Sequence, residues 1–284
     1  MQKIFIQPPH DDSLTSQLVC LYNSFKGLPF NEPRNFDISS ISWFYPLLVL
    51  PISAHVNCFA SQFIKNENNP NHSYLNAISF PQGVDTVSVF QQQIQAHKNF
   101  IPISTLKKDK GADRERLESL FSQMVYKILG SISGAQNAVH YPITEIVTNI
   151  FDHSQQDQGF IFGQFYPKKN YLDICIVDCG RGLSKAYADE KNLKLSDVDS
   201  IIEVLKGHST KPSVERGYGV RTSKRVICEC LGGEFILLSG SAAFIATGKK
   251  EKVVDLPEFY WQGVVVAYRI PKPVGAMDIS QYLE

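Results

Sequence analysis

The sequence predicts an α+β protein built from two units, and three observations support this. In the first hundred residues, strand-like segments alternate with helix-like ones, a pattern typical of a sheet layered with helices. In the second half, helical segments precede a run of strands, which favours a two-layer sandwich over a doubly wound sheet. The charged segment 106–116, "LKKDKGADRER", predicts a linker between them. We therefore expect a boundary near residue 110, with units at 1–106 and 112–284.

The first unit is predicted to alternate between strands and helices along its length. The predicted strands are "KIFIQ" (3–7), "NFDIS" (35–39), "YLNAISF" (74–80) and "FIPIS" (100–104). The predicted helices are "SLTSQLVCLYNSF" (13–25), "FYPLLVLPISAHVNCF" (44–59) and "VSVFQQQIQAH" (87–97). This order predicts a small α/β unit.

The second unit is predicted to open with two helices. Apolar residues recur at three- and four-residue spacing in the first, at Leu117, Leu120, Phe121, Met124, Val125 and Ile128. Pro142 predicts the start of the second, because the first helical turn tolerates proline. A Gly-rich turn at 217–219 then opens a further helix. The predicted strands are 159–166, 171–178, 234–240, 242–248 and 263–271.

Composition indicates a soluble globular protein. Basic and acidic residues both number 28, so no overall field attracts nucleic acid or an anionic membrane. The chain has no apolar run of membrane-spanning length and no signal-peptide pattern at its start, so we expect a cytoplasmic protein. The six cysteines lack the paired spacing of a metal site or a disulfide framework, which predicts free thiols.

Four polar side chains share one stripe of the helix that contains "ITEIVTNIFDHS", residues 143–154. Glu145, Asn149, Asp152 and His153 fall within an arc of about 100°, opposite an apolar face. A merely solvated face is one interpretation. However, solvated faces usually use good helix formers, whereas Asn, Asp and His are poor ones, which favours a functional stripe.

A second polar motif follows the predicted strand "YLDICIVD". Period-two alternation places Asp178 on the same face as Leu172, Ile174 and Ile176, at the edge of the core. Gly180 and Gly182 complete a D-x-G-x-G pattern, in which glycine permits close approach of a ligand to the backbone. An Asp-Gly turn is the structural alternative.

A third motif, "GHSTKPSVERGYGV" (207–220), ends in a Gly-rich turn before a helix. Gly217 and Gly219 flank Tyr218, and backbone N–H groups at such a turn favour phosphate. Ser209, Thr210 and Lys211 supply further donors. Each motif alone is weak, but together and in this order they indicate a nucleotide site.

This order resembles the GHKL superfamily of ATP-binding domains over residues 112–271. The resemblance implies a two-layer α/β sandwich that binds ATP and Mg²⁺. It implies that Asn149 holds the magnesium ion, that Glu145 orients or deprotonates a water, and that Asp178 binds the adenine amine. The nucleotide-binding residues implied as a set are Asn149, Asp152, His153, Asp178, Gly180, Gly182, Ser209, Thr210, Lys211, Gly217, Tyr218, Gly219 and Val220. The chain departs from the pattern at Gly263-Val264, where many relatives carry Gly-Thr.

The first unit more weakly resembles a STAS domain, through "RNFDISSISWFYPLLVLPISAHVN" at 34–57. Regulated STAS members carry a phosphorylatable Ser or Thr before the following helix, where this chain has Trp43-Phe44-Tyr45-Pro46. An unrelated α/β cap domain is the alternative.

Three functions follow from these resemblances. The first is a cytosolic Mg·ATP-binding regulatory protein, either a slow ATPase or a serine/threonine kinase, that switches a partner protein. The second is a nucleotide-sensing module that does not hydrolyse ATP, whose segment from Leu183 to Glu215 is ordered by the nucleotide. The third is a structural adaptor with a vestigial pocket. A second copy of the chain is a further partner that the sequence leaves open.

Overall fold

The structure, a computed structural model, describes residues 1–94, 99–208, 219–248 and 250–283. Its helices are α1 (Leu14–Phe25), α2 (Pro46–Phe59), α3 (Ser73–Ala77), α4 (Val87–Gln93), α5 (Gly111–Ile128), α6 (Ala135–His153), α7 (Gly182–Lys191), α8 (Asp197–Leu205) and α9 (Gly219–Arg225). Its strands are β1 (Gln2–Phe5), β2 (Arg34–Asp37), β3 (Gln62–Ile64), β4 (Phe100–Lys107), β5 (Gln158–Tyr166), β6 (Tyr171–Val177), β7 (Glu234–Gly240), β8 (Ala242–Thr247), β9 (Lys250–Asp255) and β10 (Trp261–Pro271). The mixture of helices and strands agrees with the predicted α+β class.

A small parallel sheet forms from the N-terminal segment. Its strand order is β1-β2-β3, and α1 and α2 connect the successive strands. Ser13 caps α1 by accepting a hydrogen bond from the amide of Ser16 at 3.1 Å. The helix α2 is buried along most of its length because it also packs against β5 and β6 of the larger sheet.

The larger sheet is antiparallel and has the order β4-β5-β6-β10-β7-β8-β9. The predicted strand at "FIPIS" is present, but it belongs to this sheet, where β4 pairs with β5, rather than to the small N-terminal one. The edge strand β9 was not predicted, because "KEKVVD" lacks the apolar alternation of a half-buried strand. Charged side chains are typical of such edges, since they oppose pairing with another chain.

Both faces of the larger sheet are buried. On one face, Cys175 and Val177 of β6 share a core with side chains of α1 and α2. On the other, Leu172, Ile174 and Ile176 share a core with α5 and α6. The helices of the first unit therefore cover a face that an antiparallel sheet often leaves to solvent.

A buried ionic cluster joins α1 to this sheet. Arg269 of β10 donates from Nε to Oδ1 of Asp173 at 2.7 Å and from Nη2 to Oδ2 at 2.8 Å. Gln17 of α1 donates to the same carboxylate at 3.4 Å, and Arg269 also donates to the carbonyl oxygen of Asp12 at 2.6 Å. At the surface of the cluster, Lys169 contacts Asp12 at 2.5 Å. Polar pairing as well as apolar packing thus fixes the two units together.

Two local predictions were wrong. The segment "YLNAISF" forms the short helix α3 and a turn, with Leu75 and Ile78 both buried. Their spacing of three residues suits a helix, and seven residues are too few to distinguish the two periods. The helix α6 begins at Ala135, so Pro142 lies inside it. Proline inside a helix removes one hydrogen bond and costs about 3 kcal/mol. The helix nevertheless continues through Pro142, in a segment where Ala138 and Val139 are buried.

Among the described residues, we find no helix with both the length and the apolar character needed to cross a bilayer.

Candidate functional site

The polar stripe of α6 faces a cavity of about 220 Å³ between α6 and the larger sheet. Glu145, Asn149 and His153 line it, together with Thr144 and Thr148. Asp152, the fourth predicted member, is exposed and is not part of the cavity wall. At the end of α6 the cavity is lined by His153, the last residue of the helix, and by Ser154, which follows it. The stripe is therefore more than a solvated face, although only three of its four members reach the cavity.

Asp178 lies across the cavity, directly after β6. Asp178 is 2% exposed, and its Oδ1 accepts a hydrogen bond from the amide of Gly180 at 2.7 Å. Burial raises the pKa of Asp178 to about 7, against the opposing effect of the backbone amides of Gly180 and Val264. Within the described part of the chain, Asp178 forms no ion pair. Among the described residues, the carboxylate of this buried acid is held by backbone amides.

Gly263 makes the close packing around Asp178 possible. Its φ is +109°, and a Cβ there would lie 2.4 Å from the carbonyl oxygen of Asp178 and 2.7 Å from its Oδ1. The indole Nε1 of Trp261 donates to the same carbonyl oxygen at 3.0 Å. Residues at the start of β10 therefore hold Asp178 in position, and a side chain at position 263 would displace Asp178.

The third motif reaches the same cavity at its other end. Gly219 and Val220, which open α9, both line the wall. A Cβ on Gly219 would lie 2.4 Å from Oε2 of Glu145 and 3.6 Å from Nδ2 of Asn149. The backbone of this motif is therefore in direct contact with the polar stripe. The predicted residues Ser209, Thr210, Lys211, Gly217 and Tyr218 lie outside the described residues.

Apolar side chains that the sequence interpretation did not assign to the site form the rest of the wall. They come from α6, β6, α7, α8, β7 and β10, and they are Ile146, Ile150, Ile176, Leu183, Ala186, Val204, Leu237, Val264 and Val266. The alternation of β7 and β10 is the signal that could have placed Leu237 and Val266 on the α6 face. Gly182 also lines the cavity, where it opens α7. The interior therefore suits a largely apolar ligand with a few polar atoms.

Arg181 is a second residue that the sequence interpretation missed. Its guanidinium is buried and donates from Nε to the carbonyl oxygen of His153 at 2.6 Å. It also pairs with Asp189 at 3.1 Å and with Glu190, while His153 Nδ1 lies 3.5 Å from Glu190. The adjacent acids Asp189 and Glu190, on the helix that follows the D-x-G-x-G motif, were the sequence signal that could have identified partners for Arg181. Arg181 thus links the end of α6 to α7 and fixes the position of His153.

A protein-only metal cage is not found in the described ranges, since they hold no group of three or more His, Cys, Asp or Glu side chains arranged for a metal ion. Asn149 lines the cavity, and its side-chain amide carries one oxygen that can act as a metal ligand. One protein oxygen is compatible with a magnesium ion that takes its other ligands from water and phosphates.

No protein-family model matches the chain, and no curated protein matches it. What the cavity binds is therefore inferred from its own geometry and chemistry.

Proposed function

We propose that this chain is a Mg·ATP-binding regulatory protein with a GHKL-type nucleotide domain, acting as a slow ATPase or as a kinase on a partner protein. One observation carries the proposal. Three separate sequence motifs, on α6, after β6 and at the start of α9, meet in the wall of one cavity. Motifs that served only as local turns and caps would have no reason to converge in this way. The STAS-like character of the first unit and the cytoplasmic location stay predictions.

The end of the cavity near Asp178 suits a purine base. Ile176, Leu237 and Val264 supply an apolar slot, and Asp178 offers a carboxylate oxygen within it. An exocyclic amine is a donor that pairs with such an acceptor, and hydrogen bonds to a charged group are the stronger ones. The departure at Val264 leaves the backbone contact with Asp178 in place, since the amide of Asp178 donates to the carbonyl oxygen of Val264 at 2.9 Å.

The opposite end, at Glu145, Asn149 and Gly219, suits phosphates. The missing side chain at Gly219 lets the backbone that opens α9 lie directly against Glu145 and Asn149. Backbone N–H groups at such a turn favour phosphate. Asn149 is the residue that would hold magnesium there. The ion, when bound, neutralises charge on the phosphates.

Glu145 is the carboxylate at the phosphate end of the cavity wall, where it can take a proton from an attacking oxygen. Its carboxylate lies beside Gly219 at the phosphate end, well placed to orient water or a partner's hydroxyl. General bases of this kind accelerate proton transfer by about 10²–10⁴-fold. Glu145 and Asn149 therefore have separable roles, one in turnover and one in binding.

Two alanine variants test the proposal. Asn149→Ala should weaken nucleotide binding in the presence of magnesium. Glu145→Ala should leave binding nearly unchanged and slow phosphate release by about 10²–10⁴-fold. Glu115→Ala is the matched control, because Glu115 is an exposed acid on the neighbouring helix α5. ATP affinity and phosphate release should be measured on all four proteins, and ADP, phosphate and phosphoprotein should be separated.

The outcomes distinguish the alternatives. If wild type binds ATP without turnover, and only Asn149→Ala weakens binding, the chain is a nucleotide-sensing module. If no variant changes binding or turnover, the proposal fails, and the stripe is a structural feature of an adaptor.

A further inference from the structure

The tail, residues 272–283, folds back from the end of β10 onto the start of α6. The amide of Met277 donates to the carbonyl oxygen of Ser133 at 3.0 Å. Gly134, with a φ of +77°, permits this approach, because a Cβ there would overlap the carbonyl oxygen of Met277. Farther along, Arg225 of α9 donates to the carbonyl oxygen of Tyr282 at 3.4 Å. The tail is therefore fastened to the two helices that carry the polar stripe and the Gly-rich turn.

A second cavity of about 360 Å³, the tail cavity, lies between the tail and α6. Polar residues from both sides line it, and they include Asn137, His140, Thr144 and Glu145 of α6 with Asp278 and Ser280 of the tail. Thr144 and Glu145 also line the first cavity. The two cavities therefore adjoin at Glu145, the carboxylate at the proposed phosphate end.

Ser280 is the hydroxyl residue that the tail contributes to the tail cavity. It is exposed and begins the 3₁₀ turn Ser280–Tyr282, where its amide donates to Oδ1 of Asp278 at 2.9 Å. The other hydroxyl of the tail, on Tyr282, donates instead to the carbonyl oxygen of Glu229 at 3.5 Å. Ser280 is thus the tail hydroxyl that borders the candidate base.

Tyr141 and Thr144 are the hydroxyl residues on the α6 side of the tail cavity. Both belong to a helix of 19 residues, and the hydroxyl of Thr144 contacts Nε2 of His140 at 3.3 Å. Thr144 directly precedes Glu145, and adjacent residues of a helix point about 100° apart, so these two do not face each other. A base and an acceptor that must meet at one phosphate are better placed on facing elements, as Glu145 and Ser280 are.

We propose that Ser280 is a phosphorylation site served by the chain's own nucleotide cavity, an inference that rests on the proposed function. The hydroxyl oxygen of Ser280 attacks the γ-phosphorus of ATP, and its proton passes to the carboxylate of Glu145. The bond from the γ-phosphorus to the oxygen that bridges it to the β-phosphate breaks, and ADP leaves with that electron pair. Glu145 then returns the proton to water. The products are phosphoserine, ADP and one proton, and the substrate class of the site is a serine hydroxyl in a polypeptide.

Phosphopeptide mapping tests the transfer on the full chain. The protein is incubated with magnesium and ATP labelled in its γ-phosphate, and it is then digested with trypsin. The tail falls in peptide 270–284, whose hydroxyl side chains are those of Ser280 and Tyr282, whereas α6 falls mostly in peptide 128–168. We expect the label at Ser280. The rate per molecule should not depend on protein concentration, because the site and the acceptor share one chain.

Variants assign the two roles. Ser280→Ala should lose the label and bind ATP like wild type, since it removes only the acceptor. Glu145→Ala should slow labelling by about 10²–10⁴-fold. Tyr282→Phe is the matched control in the same peptide and should be labelled like wild type. Thermal unfolding of each variant checks that it is folded.

A second readout needs no turnover. Peptide 270–284 has no cysteine, so Ser280→Cys places a single thiol in it. Alkylation of this thiol by iodoacetamide should slow when a non-hydrolysable ATP analogue binds, because the phosphates then lie beside it. Val274→Cys is the control, since Val274 is fully exposed and lies outside the tail cavity, and its alkylation should not change. Equal alkylation of Ser280→Cys with and without bound analogue would overturn the proposal.

Nucleotide affinity, measured separately, distinguishes the two possible failures. If ATP does not bind, the proposed function and the Ser280 site fail together. If ATP binds while peptide 270–284 stays unlabelled, or while the label lies in peptide 128–168, the Ser280 site fails and the ATP site stands. A labelling rate that rises with protein concentration would assign the acceptor to another copy of the chain and would likewise overturn transfer within one chain.

Discussion

Two aspartates at β6 have similar burial and opposite surroundings. Asp173 is 1% exposed and faces α1, while Asp178 is 2% exposed and faces the cavity below α6. Arg269 binds both carboxylate oxygens of Asp173 and Gln17 adds a third contact, whereas Asp178 is held by backbone amides. Burial raises the pKa of Asp173 to about 6 despite the guanidinium, and that of Asp178 to about 7 without one.

The difference shows how to separate a structural acid from a candidate ligand-binding acid. Asp173 has its acceptor positions filled by the protein, so it joins two units and has little left to offer a ligand. Asp178 lies in the wall of a cavity with no cation among the described residues to balance its charge. A buried acid perturbed in this way is a candidate functional group. Each prediction below concerns either Asp173 and its partners or Asp178 and the cavity.

The largest effect is expected on the structural side. Arg269→Ala should lower the free energy of unfolding by about 3–5 kcal/mol, because it leaves the buried carboxylate of Asp173 without its cation. Denaturant unfolding measures this change. Lys169→Ala is the matched control, since Lys169 belongs to the same cluster but is half-exposed, and exposed pairs contribute only about 0–1 kcal/mol. Equal losses in the two variants would show that Asp173 does not depend on Arg269.

On the ligand side, Asp178→Asn should weaken ATP or ADP binding roughly ten- to a hundredfold at pH 8, where the Asp178 carboxyl is ionised, since a hydrogen bond to a charged group contributes about 1.5–3 kcal/mol. Titration calorimetry on wild type and variant gives the two affinities. Asp173→Asn is the comparison on the opposite face and should leave nucleotide affinity unchanged. An unaltered affinity in Asp178→Asn would remove adenine recognition from this residue.

The pH dependence of stability should differ between wild type and Asp178→Asn. The folded pKa of Asp178, about 7, lies above its ordinary value of 3.8, so between these values the folded chain binds the extra proton. The stabilisation of wild type relative to the variant is therefore complete near pH 4, falls as pH rises towards 7, and is lost above it. The slope is at most about 1.4 kcal/mol per pH unit. Unfolding of both proteins from pH 5 to pH 8 measures it, and a constant difference across that range would contradict the raised pKa.

The smallest expected change is in local dynamics. Amide exchange between Leu183 and Glu215 should slow when a non-hydrolysable ATP analogue is added, because phosphate contacts are predicted to order this segment. The described part of it contains α7 and α8, which contribute Leu183 and Val204 to the cavity wall. Exchange in α1, on the far face of the sheet, should not change. Equal exchange in the segment with and without the analogue would refute a nucleotide-ordered lid.

The local sequence pattern predicted the position of Asp178. The features that depend on long-range strand pairing could not be predicted in this way. The alternation of β6 correctly placed Asp178 on the face of Ile174 and Ile176. No local pattern could assign Arg269 to Asp173, since the two are 96 residues apart and meet through the register of β6 with β10. The same holds for β4, whose sequence predicts a strand but not the sheet that it joins.

Trp261 is a natural fluorescent reporter of the contact between α1 and the Asp178 loop. Its ring is fully buried and packs edge-on against Phe25 of α1 at 5.5 Å and Phe30 at 4.7 Å, while its Nε1 binds the carbonyl oxygen of Asp178. The other tryptophan, Trp43, is 53% exposed. The intrinsic fluorescence therefore comes from one half-exposed emitter and from one fully buried emitter between α1 and the Asp178 loop. Replacing Trp43 with Phe would leave a spectrum that responds to separation of the two units and to movement of the Asp178 loop, with no added label.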